Sequence, residues 1–348
     1  MQSAYLNYIS TATPEHDIHQ KFIDYALSLL ADDRSRILLQ ALIQRSQIEH
    51  RYSIFKPSLK SDLLDEDNFY TRRAFPTTKD RMILYERHAF NLARKALDQL
   101  DLANVTHLII TSCTGFYAPG IDLQIIKHYN LQPSIERTMI GFMGCYAAIN
   151  ALKVASHIVN SQKSAQVLIV NLELCSLHLQ NTGSIEELLP FLIFADGCAA
   201  SIVSAQELGI ELKSFRSTIL PNSSNQIMWH IGESGFDMVL SGLVAQLIAT
   251  ELPKFTNEML AGKKPEDFAL WAIHPGGRSI IDAVEKGIGL RPEFLKLSRE
   301  ILRRFGNMSS ATIMFVLQEM LQQENSRGEG CAMAFGPGVV VESMLFSI

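Results

Sequence analysis

The sequence predicts an α/β protein built from two intimately packed halves. Three observations carry that expectation: short apolar β-rich runs alternate with helices, one order of elements occurs twice, and no Gly/Pro/Ser-rich linker divides the chain. The β-rich runs are residues 105–112, 167–172, 199–203 and 268–273. Helical periodicity is clear at 34–50 and 78–101, where apolar residues recur at helical spacing between charges. Strands alternating with helices imply mostly parallel sheets buried on both faces. In the first half, a strand at 107–111 leads into a loop holding Gly115, Pro119 and Gly120, and a small-residue turn opens an apolar helix at 146–159. In the second, a strand at 270–273 leads into Pro275-Gly276-Gly277, and Gly306-Asn307 opens an apolar helix at 311–321. Two such halves side by side would bring both glycine turns to a shared centre. The nearest thing to a boundary is 204–214, where an apolar strand gives way to a polar, mixed stretch, so the halves are expected at 1–206 and 207–348.

Bulk properties narrow the function classes. The chain has 348 residues, 47% hydrophobic and 19% charged, with a formal charge of -5, so there is no basic surplus to make a nucleic-acid backbone its main partner. The first fourteen residues lack a basic start followed by a long apolar run, and no stretch reaches the roughly 18 apolar residues that would span a bilayer. No stable membrane insertion and a cytoplasmic location are therefore expected. Five widely spaced cysteines, an odd number without a CxxC pair, argue against a disulfide framework and against a zinc site. For each of them the plain reading is a buried free thiol.

Three residues carry candidate chemistry. Cys145 follows Gly144 at the start of an almost wholly apolar helix, where the helix N-terminus lowers a thiol's pKa and unpaired N–H groups can face an oxyanion. His274 stands where an apolar strand ends in a loop that cannot continue it, so it can project into a cleft. Asn307 offers an amide just before the second buried helix, where it could equally be a helix cap.

In that order, Cys, His and Asn stand among motifs that resemble the chalcone and stilbene synthase superfamily, the type III polyketide synthases. Those motifs are F-A-D-G at 194–197, H-P-G-G at 274–277, G-N-M-S-S-A-T at 306–312 and F-G-P-G-V-V-V-E at 335–342. With I-S-T-A-T-P at 9–14 the resemblance covers essentially the whole chain. It implies a thiolase-like five-layered αβαβα fold and a homodimer. It also implies loading of an acyl starter from CoA onto Cys145, decarboxylation of malonyl-CoA and repeated Claisen condensation, with no cofactor or metal beyond the CoA thioester substrates. His274 would hold Cys145 as thiolate, and His274 with Asn307 would donate to the thioester carbonyl and the enolate. The resemblance further makes Phe194 an aromatic gatekeeper between CoA tunnel and cavity, Ser309 a cavity-lining residue, and Gly336-Pro337-Gly338 the loop shaping a cyclisation pocket. Arg45 matches a CoA-phosphate contact; Gly276, Ser279 and Arg51 fall on the same CoA side, and Arg34 and Arg36 are further candidates.

Departures from the plant pattern concern the substrate. Cys113 and Cys175 replace hydroxyl-bearing residues, as in bacterial members that make alkylresorcinols, alkylpyrones or hydroxylated naphthalenes, and would line the cavity. Trp229 stands in place of a glycine and would close space, whereas Met238 replaces a second gatekeeper phenylalanine and would open it. The expected activity is extension of a fatty acyl-CoA by malonyl-CoA with cyclisation to an alkylresorcinol or alkylpyrone. The rivals are a malonyl-CoA-only synthase of a hydroxylated naphthalene or phloroglucinol, and a non-catalytic acyl-CoA-binding member.

Overall fold

The computed structural model describes residues 3–60, 63–71, 75–323 and 326–348. The chain opens with β1 (Ala4–Ala12), β2 (His16–Asp17), α1 (His19–Leu29), α2 (Asp33–Ser46), β3 (Tyr52–Ser53), α3 (Thr78–Leu97) and β4 (His107–Ser112). Next come α4 (Ile121–His128), β5 (Glu136–Gly141), α5 (Ala147–Ser161), β6 (Val167–Leu174), α6 (Ile185–Ile193) and β7 (Asp196–Ser204). After β8 (Ile210–Ile219) a hairpin of β9 (Ile227–Gly232) and β10 (Gly235–Leu240) precedes α7 (Val244–Met259), β11 (Leu270–Ile273), α8 (Arg278–Ile288) and α9 (Lys296–Phe305). The chain closes with α10 (Thr312–Gln322), β12 (Glu329–Gly336) and β13 (Val340–Ser347). Local signals set the helix ends. Thr77 and Asp80 form a reciprocal capping box that starts α3, and Gln47 in the left-handed region stops α2.

Nine strands form one sheet in the order β11-β12-β13-β8-β1-β7-β6-β4-β5. Only β11–β12, β4–β5 and β4–β6 are parallel, so the sheet is mixed rather than mostly parallel as the alternation of strands and helices implied. The reason is visible at β12 and β13: the Pro337–Val339 turn joining them is far too short for a parallel crossover. The polar stretch after β7 also hides a strand. β8 is half-exposed, so its residues alternate, and it sits between β13 and β1 in the middle of the sheet.

The repeated order of elements is a repeated topology. Strands β4, β6, β7 and β1 stand in the same order and sense as β11, β12, β13 and β8, and the two sets meet antiparallel from Ala4↔Leu212 to Leu6↔Ile210. Alternate strand residues then feed different cores. Leu108 and Ile110 pack outward with Tyr85, Ala89 and Leu92 of α3, whereas Ile109 faces inward onto Ala148 and Leu152 of α5. That inner core also takes in α10 through Ile313 and Phe315, and Ala332, Ala334 and Met344 of the second strand set. On the far side, Trp271, Ile273 and Met333 pack against Ile248 of α7 and Val284 of α8. The two strand sets of the continuous sheet thus act as two layers, giving helix, sheet, helix, sheet, helix, the five layers of a thiolase-like fold. Because α5 and α10 lie between two sheets, they are apolar almost all round, and both of their N-terminal turns open at the same central level.

Candidate active site

Two turns build the centre. After β5 the backbone passes through the left-handed region at Phe142 and Gly144, and a one-turn 3₁₀ segment, Gly144–Tyr146, carries Cys145 into α5. Gly144 has φ +75, and a Cβ there would lie 2.3 Å from Pro337 Cδ, so only glycine fits. A Cβ on Gly336 would likewise meet the Tyr146 ring at 2.6 Å. The Gly-Pro-Gly loop is therefore seated directly on the nucleophile's turn. The opposing 3₁₀ segment, Ser309–Ala311, begins at Ser309 with φ 47, a strained conformation for serine. The Cys145 thiol donates to Ser309 Oγ at 3.7 Å, which links the two turns.

His274 closes β11, its N–H donating to Met333 O at 2.8 Å. The residue is 1% exposed, yet neither ring nitrogen has a hydrogen-bond partner. Such orphaned buried polar atoms are costly and rare outside functional sites. The Asn307 amide is held at both ends. Its Nδ2 donates to Gly276 O at 3.1 Å, while its Oδ1 accepts from Ser309 N at 2.8 Å and Thr312 Oγ1 at 3.2 Å. An amide nitrogen has two hydrogens, so one donor remains for the cavity that Asn307 shares with Cys145 and His274. Burial pushes the Cys145 thiol up to about 12, with the neighbouring Ser309 hydroxyl and Asn307 amide pulling against it. Burial alone pulls the His274 imidazole down to about 3. No hydrogen bond joins the two in this structure.

The shared cavity holds about 80 Å³. Phe194 and Phe191 form one wall. The β9–β10 hairpin forms another, with Trp229 paired across from Met238 and Ile227 across from Leu240, all on the cavity side. Cys113 and Cys175 line the back, where Trp229 Nε1 donates to Cys113 O at 2.8 Å and fixes the indole in place. Gly276, Ser309, Gly336 and Pro337 complete the lining. Gly338 lies outside it, with φ +72 in the turn itself. Ser279 and Arg45 are exposed away from the cavity, as is Arg34, whereas Arg36 is engaged with Asp33 and with Leu30 O. Arg51 is not at the surface, as a phosphate contact would require. It is 0% exposed, and its guanidinium donates to His19 Nδ1, Phe191 O and Phe194 O. Among the described residues, no cluster of three His, Cys, Asp or Glu stands where it could hold a metal, and no helix is long and apolar enough to cross a membrane.

Besides the wall residues Phe191, Ile227 and Leu240, sequence reasoning passed over Glu173. It is fully buried beside the cavity, accepting from Ser310 Oγ at 2.5 Å and from Cys113 N and Thr114 Oγ1, both at 2.9 Å. Burial lifts its carboxyl to about 7, with those hydrogen bonds opposing. A signal was present: Asn171 and Glu173 sit two apart, hence on one face, in an otherwise apolar strand.

The family profile described as "Chalcone and stilbene synthases, N-terminal domain" matches residues 2–207, and its C-terminal counterpart matches residues 211–348. The chain is 35% identical over 359 residues to the alpha-pyrone synthesis polyketide synthase-like Pks18 of Mycobacterium tuberculosis, covering 98% of this chain and 90% of that protein. It is 31% identical over 368 residues to the bisdemethoxycurcumin synthase of Oryza sativa subsp. japonica, covering 97% and 90%. Among solved structures, PKS-I from the brown alga Ectocarpus siliculosus superposes with a TM-score of 0.89 at 27% identity, covering 100% of this chain and 98% of that one. The C-terminal type III polyketide synthase domain of Steely1, from Dictyostelium, shares the fold with a TM-score of 0.90 at 23% identity over 99% of both chains.

Proposed function

This chain belongs to the chalcone and stilbene synthase family of type III polyketide synthases, acyltransferases that condense malonyl-CoA decarboxylatively, and from that premise we propose the roles of its residues and its substrate. Cys145 is the nucleophile. Burial penalises a lone thiolate and a lone imidazolium, but moving the thiol proton onto His274 creates both charges together, and their attraction offsets much of the cost. The thiolate attacks the starter thioester, and the CoA sulfur leaves with the proton from His274. Malonyl-CoA then loses CO₂, and the electron pair of the broken C–C bond passes to an enolate whose oxygen faces the Asn307 N–H and the one N–H that neutral His274 keeps. That enolate carbon attacks the Cys145 thioester and releases the sulfur as thiolate, and one proton from solvent restores the Cys145–His274 pair. The observation that carries this assignment is the Asn307 amide, fixed at both ends with one donor left over inside the cavity of Cys145 and His274.

For the substrate, the reading favoured here is a fatty acyl starter cyclised to an alkylpyrone or alkylresorcinol. Its support is the apolar lining, the flexible Met238 at a gate position, and the alpha-pyrone synthesis for which the Mycobacterium relative is named. One observation favours the malonyl-only rival: about 80 Å³ is well below the roughly 300 Å³ at which ligand pockets usually begin. A long chain therefore requires the Trp229–Met238 wall to move. Incubation with malonyl-CoA alone and with starters from acetyl-CoA to long acyl-CoA, read by mass spectrometry, tests this. Product from malonyl-CoA alone, undisplaced by long starters, would select the rival. We also propose a homodimer, supported by the exposed edge strand β5 and the half-exposed Met139 and Leu123 beside a groove of about 410 Å³.

A further inference from the structure

We infer that Arg51 is a positioning residue that locks the cavity gate to the catalytic amide. The side chain is wholly enclosed and makes no ion pair among the described residues, the nearby carboxylates of Asp17 and Asp196 acting on its charge without bonding the guanidinium. Its Nη1 donates to the carbonyls of Phe191 and Phe194, the latter at 2.9 Å, at the C-terminal end of α6, where both phenylalanines line the cavity. Its Nε donates to His19 Nδ1 at 2.8 Å, and its planar group lies 5.0 Å from the Phe22 ring centroid. His19 must therefore be neutral, with Nδ1 as acceptor, and the Arg51 charge beside it favours that form.

The other flank of Arg51 touches the second turn. Gly306 has φ +68, and a Cβ there would come within 2.8 Å of Arg51 Cγ, so the stem of the arginine packs flat against the residue preceding Asn307. The backbone of Asn307 is in turn paired with the gate: its N–H donates to Ile193 O and its carbonyl accepts from Ala195 N, both at 2.9 Å, on either side of Phe194. Arg51 thus grips the gate strand by its carbonyls and the amide strand by its glycine, where the two run side by side. Lysine cannot reproduce this, because a single ammonium lacks the planar fork that reaches His19 and two carbonyls at once. Cys145, on its own turn with Pro337, lies outside the clamp.

The inference rests on the catalytic roles proposed above, whose failure would appear separately, as undiminished malonyl-CoA decarboxylation by an Asn307→Asp variant with Arg51 and His19 intact. The experiment compares Arg51→Lys, His19→Leu and His19→Gln. It records melting temperature, Cys145 alkylation by iodoacetamide, kcat and KM for malonyl-CoA decarboxylation, and the ratio of kcat/KM for long and short starters. Arg51→Lys should lower decarboxylation kcat at least tenfold and change the starter ratio, while the alkylation rate per folded molecule is retained. His19→Leu, which removes the acceptor, should do the same more weakly, and His19→Gln, which keeps an acceptor, should restore most of the loss. Should Arg51→Lys fail to fold, the two His19 variants decide the matter. Equal behaviour of His19→Leu and His19→Gln, or a fall in alkylation and turnover in the same proportion, would overturn the positioning role.

Discussion

Replacing Asn307 with aspartate removes one donor and sets a carboxyl oxygen in its place. The aspartate keeps an oxygen where Oδ1 accepts from Ser309 N and Thr312 Oγ1, so the turn should stay folded. What changes is the other end, where Nδ2 spends one hydrogen on Gly276 O at 3.1 Å and holds the second for the reaction. Losing one aimed donor to a developing oxyanion costs about 10²–10³-fold in rate, or ~3–4 kcal/mol. The new oxygen would also oppose Gly276 O with no hydrogen between them, at a stability cost on the order of 1–3 kcal/mol. The assay follows CO₂ release from malonyl-CoA and, separately, acyl loading of Cys145 by intact mass. Decarboxylation should collapse while loading survives. Undiminished decarboxylation by a folded Asn307→Asp enzyme, or a matching loss of loading, would show that Asn307 is a structural cap and not the enolate donor.

Other expectations follow from the same geometry. Cys145→Ala should fold and fail to load any starter; an acyl adduct on Cys113 or Cys175 in the wild type, with Cys145 free, would contradict it. Gly144→Ala should destabilise the turn severely, since its methyl meets Pro337 at 2.3 Å in a left-handed backbone, and an alanine variant of wild-type melting temperature would refute the seating of the Gly-Pro-Gly loop. Trp229→Ala should enlarge the cavity and move the preferred starter to longer chains, whereas Trp229→Phe should keep the profile and lose about 1 kcal/mol through the unpaired Cys113 carbonyl. Glu173 titrates near 7 in the folded protein against 4.5 when free, so between those values the folded state holds an extra proton and stability falls as pH rises. The full difference is about 3 kcal/mol. Urea denaturation at pH 5 and pH 8 should show a drop of that order in the wild type, and a flatter profile in Glu173→Gln; parallel profiles would assign the pH dependence elsewhere.

The candidate trio was legible because each member leaves a local trace, whereas the layer order came only from the family resemblance. Glycine turns mark the starts of α5 and α10, and an apolar strand ends at His274. The strands β4, β6 and β7, covered on both faces, were legible; β8, with one face open, was not, and neither was β12, although it is buried along nearly its whole length. Met238 and Trp229 fell on the cavity side because the period of a strand is two residues, and their cross-strand pairing makes them one wall.

By itself, then, the sequence determined the fold class, the repeated order of elements and the family, and it nominated Cys145, His274 and Asn307, which the folded chain brings to one cavity. Only tertiary structure decided direction and company. Strand sense depends on which neighbour a strand meets, so the mixed sheet was invisible to alternation alone. Arg51 reads as a surface cation beside Arg45, and only the packing of α6 and Gly306 around it turns the same guanidinium into an interior clamp. Glu173 reads as one charge in an apolar strand until three donors from distant segments close on it and burial lifts its carboxyl toward neutrality. In each case the residue type is local information, while its charge, partners and solvent are supplied by segments far away in sequence, and those contacts exist only once the chain has folded.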